Sequence, residues 1–132
     1  MTSDAKTPEE LRYTKTHEWV RIDGDEATIG ITDHAQGELT DIVYVDLPEV
    51  GKPVKAGASV LVLESVKTVA DIYAPGDGRI SAVNTTLKTE PGLINKDPYG
   101  QGWILRIQLE RPIPPEALLD AAAYRALAAS HA

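Results

Sequence analysis

Apolar and polar residues alternate along two short segments near the middle of the chain, residues 60–63 and 69–73. Both segments are rich in β-branched side chains, and this pattern predicts two β-strands joined as a hairpin. The tip between them contains Lys67 but no Gly, Asn or Pro, the residues that a tight hairpin turn normally requires. Lys67 is the one lysine between Lys55 and Lys88. We therefore expect a stiff hairpin that holds a single primary amine in solvent, at a tip that departs from ordinary turn chemistry.

Further strand patterns flank this hairpin and predict a mainly β fold. Residues 19–22 and 28–31 form a second predicted hairpin around Gly24, and residues 103–109 form a strong predicted strand. Turn signals recur at the short spacing that is typical of small all-β domains. The positions expected to face the core are Leu61, Leu63, Ile72 and Ile80.

An internal similarity connects the two halves of the chain. Residues 37–42 match residues 78–83 in pattern, and residues 55–60 match residues 89–94. Two copies of a short β unit with the hairpin at their junction predict a pseudo-twofold flattened barrel or sandwich. Any small β-sandwich has alternating apolar strands, so the similarity by itself does not identify a function.

Short helical segments are predicted outside the strands. Residues 7–10 resemble a helix start, and a helical turn is expected with Asp33 as its N-cap and Gly37 as its C′ residue. A C-terminal helix is predicted from Glu116 to about residue 129. Its packing face is expected to be the stripe formed by Leu119, Ala123, Ala126 and Leu127.

Length and composition narrow the class of protein. The 132 residues suit a single domain, with a core over about residues 13–110 and a helix over about residues 115–129. The net charge of −7 argues against nucleic-acid binding and favours docking on basic patches of protein partners. No apolar run approaches the length of a membrane span. The acidic N-terminus lacks the features of a signal or transit peptide, so we expect a cytoplasmic bacterial protein, with a trimmed mitochondrial form as the alternative. We also expect a monomer.

The residues offer little support for an enzyme or a metal site. The sequence has no cysteine, and therefore no disulfide, thiolate ligand or cysteine nucleophile. His17 and His34 lack metal-ligand spacing, and we expect each to form local hydrogen bonds near a loop. No nucleophile or acid–base pattern accompanies them. Judged by position alone, Lys67 at a hairpin tip is most simply a solubilising side chain.

The string E-S-V-K-T-V-A-D-I-Y-A-P-G-D-G-R-I at residues 64–80 changes that interpretation. It resembles the lipoyl-attachment hairpin of the H-protein family of the glycine cleavage system. The resemblance extends to R-Y-T-K-T-H-E-W-V at residues 12–20 and D-P-Y-G-Q-G-W at residues 97–103. It departs from the family pattern at Thr40, where glycine is common. The resemblance implies the flattened barrel of lipoyl and biotinyl carrier domains, a barrel-sandwich hybrid with a pseudo-twofold repeat.

The resemblance also implies a carrier rather than a catalyst. Lys67 would carry lipoic acid as an amide, and Glu64 and Ser65 would help the lipoyl-attaching enzyme to recognise the tip. The arm would take the aminomethyl group of glycine from the PLP-dependent decarboxylase (P protein) to the tetrahydrofolate-dependent aminomethyltransferase (T protein). Dihydrolipoamide dehydrogenase (L protein) would then reoxidise it.

The loaded arm ends in a cationic amine, which nearby side chains of the chain could hold. We expect Thr16, Glu18 and Asp71 to form this cleft, although exposed acids are common on protein surfaces. Two alternatives remain open: an H-type lipoate-relay protein, and a lipoyl or biotinyl carrier of another multienzyme complex.

Overall fold

A computed structural model describes residues 5–130 of the chain. Its strands are β1 (Arg12–Tyr13), β2 (Glu18–Asp23), β3 (Glu26–Ile31), β4 (Ile42–Val45), β5 (Pro53–Val54), β6 (Ser59–Ser65), β7 (Val69–Tyr73), β8 (Gly78–Val83) and β9 (Leu105–Leu109). Its α-helices are α1 (Asp33–Leu39), α2 (Leu93–Lys96) and α3 (Ala121–Ser130), and 3₁₀ turns cover Thr85–Lys88 and Pro115–Ala117. None of the helices within residues 5–130 has the combined length and hydropathy of a membrane span.

The strands form two antiparallel sheets. One sheet has the order β1-β2-β3-β9-β8-β5, and the other has the order β4-β6-β7. One cluster of buried apolar side chains draws members from both sheets, among them Ile29, Leu63 and Ile107. Each sheet must cover its apolar face, and the two do so by packing against each other as a flattened barrel. The predicted mainly β fold is confirmed.

Both predicted hairpins are present in these sheets. Strands β2 and β3 pair from Glu18↔Ile31 to Asp23↔Glu26, and Gly24 in the intervening turn has a φ of 65°. Strands β6 and β7 pair up to Glu64↔Val69, below the Lys67 tip. The four predicted core residues are all buried, and the burial of each such side chain contributes about 1.5–3 kcal/mol. They are Leu61, Leu63, Ile72 and Ile80.

The C-terminal segment is not one continuous helix over residues 116–129, so that prediction is wrong. After the 3₁₀ turn, Leu119 pairs with Tyr13 of β1 as an antiparallel bridge, with N–H···O distances of 2.8 and 2.7 Å. These two backbone bonds hold residue 119 extended, and helix α3 therefore begins only at Ala121. The local sequence favours helix here, but a partner more than one hundred residues away in the chain determines the conformation.

The packing face of α3 also differs from the prediction. Two of the four stripe residues, Ala123 and Ala126, are exposed, and the other two are half-buried. The helix instead buries Ala121 and Tyr124, and the Tyr124 ring stacks on Tyr13 with a centroid distance of 4.7 Å. Alanine offers little apolar area, so the large aromatic ring determines which face of the helix packs.

The predicted helix start at residues 7–10 is a single turn. Its one backbone bond joins the Leu11 N–H to the Pro8 carbonyl at 3.5 Å. The chain then enters β1 directly, and the pairing of that strand with β2 leaves no length for a helix.

Helix α1 is longer than predicted, and its ends differ. Thr32, not Asp33, is the N-cap: its side chain accepts from the Ala35 N–H at 3.1 Å. Gly37 lies inside the helix, which continues to Leu39 and ends at Thr40 with a φ of 63°. A threonine thus occupies a backbone conformation that ordinarily selects glycine.

The matching segments of the internal similarity have different local structures, although the strands around them belong to one barrel. Gly78 lies so close to β9 that an added Cβ would be 2.1 Å from the Gln108 carbonyl oxygen, whereas Gly37 has open space around it. Residues 59–60 begin strand β6, whereas the matching residues 93–94 begin helix α2. The two glycines share a sequence pattern but meet different packing requirements.

Candidate functional site

The β6–β7 hairpin narrows to a tip held by one side chain. The Ser65 N–H donates to the Thr68 carbonyl at 2.8 Å and closes the turn. The Ser65 hydroxyl oxygen accepts from the N–H groups of Lys67 at 3.1 Å and Thr68 at 3.0 Å. A serine side chain thus satisfies the turn backbone and supports a tip that has no Gly or Asn.

Lys67 lies exposed at this tip, as the sequence predicted for a protruding amine. Its Nζ donates to the Glu38 carbonyl oxygen at 3.1 Å, at the C-terminal end of α1. That helix end carries partial negative charge and attracts an ammonium group. The neighbouring Val66 N–H donates to the Asp41 carbonyl at 3.0 Å, so the segment after α1 supports the tip from a second side.

Glu64 and Ser65 are close to Lys67, but their surroundings differ. Glu64 is exposed on the outer face of the small sheet, in register with Tyr44 on β4 and Val69 on β7. Ser65 is half-buried and bonded to the turn backbone. Glu64 is therefore free to meet another molecule, whereas Ser65 shapes the turn that presents the amine.

Glu18 is completely buried, which its position in a polar segment did not indicate. Its carboxylate accepts from the hydroxyls of Thr14 and Thr16, and from the Tyr73 N–H at 3.2 Å. No Lys or Arg in residues 5–130 forms an ion pair with it. Neutral donors alone satisfy this carboxylate, and it joins β2 of the large sheet to β7 of the small one.

A cavity of about 320 Å³ lies beside this cluster. Thr14, Thr16 and Tyr73 line it together with Leu118 from the segment before α3. Both threonine hydroxyls donate to the buried Glu18 carboxylate. The Thr14 oxygen also accepts from the Glu18 N–H at 3.1 Å, whereas the lone pairs of the Thr16 oxygen are left for a donor in the cavity. The Glu18 charge therefore lies one hydroxyl away from the cavity lining.

Asp71 lies on β7 between the hairpin tip and this cavity. Its carboxylate is exposed and accepts from the Ser59 hydroxyl at 2.9 Å. Residues two apart share a face of a strand, so Asp71 faces the same side as Val69 and Tyr73. Asp71 follows Lys67 by four residues, so at a rise of about 3.3 Å per residue it lies at most roughly 13 Å away.

Sequence reasoning named Thr16, Glu18 and Asp71 but missed two participants. Thr14 is the second hydroxyl on Glu18, and Tyr73 supplies the backbone donor. Thr14 and Thr16 lie in the short loop between β1 and β2, which folds both hydroxyls back onto Glu18, so the nearby threonine at position 14 could have revealed the first. Nothing local reveals Tyr73, because that contact spans 55 positions of the chain.

His17 and His34 lie outside the group of side chains around Glu18. His17, with a φ of 74°, has its Nδ1 2.7 Å from the Tyr124 hydroxyl, which is also 2.7 Å from the Thr32 hydroxyl. Burial raises the pKa of Tyr124 to about 12, against a smaller lowering by the Thr32 hydrogen bond. His34 Nε2 is 3.7 Å from the Glu38 carboxylate. Across the described part of the chain, no three His, Cys, Asp or Glu side chains group as metal ligands.

Comparison with known proteins agrees with this arrangement. The family model for the glycine cleavage H-protein matches residues 11–131. A glycine cleavage system H protein from Symbiobacterium thermophilum is 51% identical over 122 residues, covering 92% of this chain and 95% of the relative. A second one, from Thermotoga maritima, is 56% identical over 114 residues, covering 86% of this chain and 92% of the relative. A crystal structure of a glycine cleavage system H protein from Mycobacterium marinum matches with a TM-score of 0.82 and 42% identity, over 90% of this chain and 96% of that one. This chain therefore belongs to the glycine cleavage H-protein family.

Proposed function

We propose that this protein is the lipoyl-lysine carrier of the glycine cleavage system and that Lys67 is its attachment site. The observation that carries the proposal is the exposed Lys67 amine at the tip of a hairpin whose turn is fixed by Ser65. A carrier needs its attachment point to protrude from a rigid base, because a tip that folded back would bury the arm. Membership of the H-protein family supports the same assignment.

The residues at the tip fit an amide-linked lipoyl group. The unprotonated Nζ of Lys67 can attack the acyl carbon of an activated lipoyl donor, such as an acyl adenylate. The C–N bond forms as the bond to the leaving group breaks, and the amine proton passes to solvent. Because the amide is neutral, the modified side chain enters an apolar tunnel at a lower desolvation cost than an ammonium group.

Bound lipoate would supply a redox-active sulfur pair that this cysteine-free chain lacks. Its partners would be the glycine decarboxylase, the tetrahydrofolate-dependent aminomethyltransferase and dihydrolipoamide dehydrogenase, in the bacterial cytoplasm. We infer a carrier rather than a catalyst, in line with membership of the H-protein family. Its own contribution is to position the arm and to protect what the arm carries.

We assign that protective role to Asp71, Thr16 and the buried Glu18. An arm laid along β7 from Lys67 meets Asp71 first, and then the cavity lined by Thr16. A cationic amine can pair directly with the exposed Asp71 carboxylate. In the cavity it can donate to the Thr16 hydroxyl, whose proton is already directed at Glu18. The cation is then held by the charge of a carboxylate that it does not touch.

Intact mass of the protein after incubation with lipoate, ATP and a lipoate–protein ligase tests the attachment site. We expect one lipoyl addition on the parent chain and none on Lys67→Arg, which keeps the charge but not the nucleophile. The modified parent should then support glycine–bicarbonate exchange with the decarboxylase. An unmodified parent, or a modified Lys67→Arg, would contradict the assignment of Lys67.

The cleft has its own test. Glu18→Gln and Asp71→Asn should leave lipoylation unchanged but shorten the time for which the loaded carrier retains its amine. The rate of ammonia release measures this time. Release at the parent rate from both variants would remove Glu18 and Asp71 from the proposal.

A further inference from the structure

Two arginines lie in one row on the outer face of the large sheet. Arg21 of β2 pairs with Thr28 of β3, and Thr28 pairs with Arg106 of β9. The neighbours of Thr28 along β3, Ala27 and Ile29, are buried in the core between the sheets, so the row faces away from that core. Adjacent strands are about 4.8 Å apart, which separates the Cα atoms of the two arginines by roughly 10 Å. We call Arg21, Thr28 and Arg106 the arginine row.

Each guanidinium of the row lies over a tryptophan ring. The Cζ atom of Arg21 is 5.1 Å from the ring centroid of Trp19, and that of Arg106 is 4.7 Å from the ring centroid of Trp103. Trp19 and Trp103 are the only tryptophans of the chain. Stacking on a ring face fixes the plane of a guanidinium, so little side-chain freedom remains to be lost when its N–H groups bind an acceptor.

The positive charge of the row has no carboxylate partner within residues 5–130, where neither Arg21 nor Arg106 forms an ion pair. The Arg21 Nη2 donates to the Tyr99 carbonyl at 3.3 Å, and the Arg106 Nε donates to the Thr28 hydroxyl oxygen at 3.3 Å. The other N–H groups of both guanidiniums are left for an acceptor from another molecule. A carboxylate matches their forked geometry.

Isolated cations are common on protein surfaces, and a lone unpaired arginine would indicate nothing. The arginine row differs because two oriented guanidiniums lie in register on one face of a chain whose net charge is −7. Most of the surface of such a chain attracts basic partners, whereas this row attracts an acidic one.

The surroundings of the row restrict what can bind it. In the next row along the strands, Asp23 pairs with Glu26, whose carboxylate accepts from the Ser81 hydroxyl at 2.9 Å. These acids would repel a broad anionic surface such as a membrane. Trp19 is completely buried, which leaves its ring unavailable for stacking with a nucleic-acid base. These features favour a narrow segment with separate carboxylates, as in an acidic stretch of a protein.

We propose that the arginine row binds an acidic segment of a partner protein. Two carboxylates of that segment, roughly 10 Å apart, would each accept from one guanidinium. The Thr28 oxygen already accepts from Arg106, so its hydroxyl proton can be donated to either carboxylate. The row lies on the large sheet, whereas Lys67 follows β6 of the small sheet. The bound segment therefore leaves the hairpin tip free, and its binding requires no group on Lys67.

Tryptophan fluorescence measures this binding, because both indole rings lie under the guanidiniums of the row. The probe is an oligoglutamate peptide, which offers carboxylates at many spacings, and its control is an oligoglutamine peptide of the same length. We expect a saturable change in emission with oligoglutamate and none with oligoglutamine. Calorimetry gives the Kd independently of the tryptophans.

Substitutions in the row should weaken this binding. Arg21→Gln/Arg106→Gln should raise the Kd for oligoglutamate about tenfold, as expected for arginines at the centre of an interface. Arg106→Lys keeps the charge but not the fork, and should give an intermediate Kd. The matched control Arg12→Gln removes an exposed arginine of β1 whose cross-strand neighbour Val20 is buried, and it should retain the parent Kd.

The assignment is overturned if oligoglutamate produces no saturable change, or if Arg12→Gln weakens binding as much as the double substitution. It is also overturned if inorganic phosphate or an RNA oligonucleotide binds as tightly as oligoglutamate, since the row would then not select a protein segment. Self-association of the parent without peptide, lost in the double variant, would assign the row to a second copy of the chain instead. Saturating oligoglutamate should leave the initial rate of Lys67 lipoylation unchanged, and a slower rate would place the peptide at the hairpin tip.

Discussion

Replacing Glu18 separates the structural contribution of the buried carboxylate from its charge. In Glu18→Ala the Tyr73 N–H loses its acceptor at the junction of the two sheets. A buried donor without a partner costs about 1–3 kcal/mol. Loss of the buried side-chain CH₂ adds about 0.8 kcal/mol. Thr14 and Thr16 line the cavity, so water can bond their hydroxyls once the carboxylate is gone, and the loss of these two bonds should add little to the cost. We expect a loss of about 3 kcal/mol in the free energy of unfolding.

Glu18→Gln should behave differently, because the amide can satisfy all the same groups. Its oxygen can accept from the Tyr73 N–H, while its NH₂ donates to the Thr14 and Thr16 hydroxyls, which accept as readily as they donate. The free energy of unfolding should then stay within about 1 kcal/mol of the parent value. The two variants remove the same charge but differ in the hydrogen bonds that remain.

Urea denaturation followed by circular dichroism measures both effects, and thermal melting checks them. A loss of about 3 kcal/mol lowers the melting temperature of a chain of this size by roughly 10 °C. Glu49→Ala, at an exposed acid away from the cavity, serves as the control and should melt like the parent. Equal destabilisation by Gln and Ala would refute the reasoning, since it would show that the fold needs the negative charge itself.

Three further predictions concern other parts of the structure. Thr40→Gly should raise the free energy of unfolding by about 1 kcal/mol, because the positive φ of this residue is strained for threonine. Urea denaturation measures the gain. Thr40→Ala keeps the Cβ and should give no gain. Ser65→Ala removes the acceptor for two turn N–H groups, and should cost about 1 kcal/mol, speed amide hydrogen exchange at the tip and slow lipoylation. Burial raises the pKa values of Tyr13, Tyr99 and Tyr124 above the ordinary 10.0. The folded state keeps these protons above pH 10 while the unfolded state loses them, so stability should fall as the pH rises from 10 through 12, and less steeply in Tyr124→Phe.

The sequence predicted those parts of the molecule whose conformation depends on nearby residues. The alternation in residues 60–73 was enough for the hairpin, its buried face and the protruding Lys67. Helix α3 was misplaced because the bridge from Leu119 to Tyr13 overrides local helical preference. The burial of Glu18 was missed because its backbone donor lies on β7, far along the chain.

The contact between Lys67 and the end of α1 depends on the positive charge of the amine. In the newly made chain, the ammonium group rests on the Glu38 carbonyl oxygen, where the helix terminus favours positive charge. Under the proposed function, acylation of Lys67 would abolish that charge and, with it, the electrostatic attraction to the helix terminus. The reaction that adds the arm would therefore also weaken the contact that holds the unmodified side chain against α1.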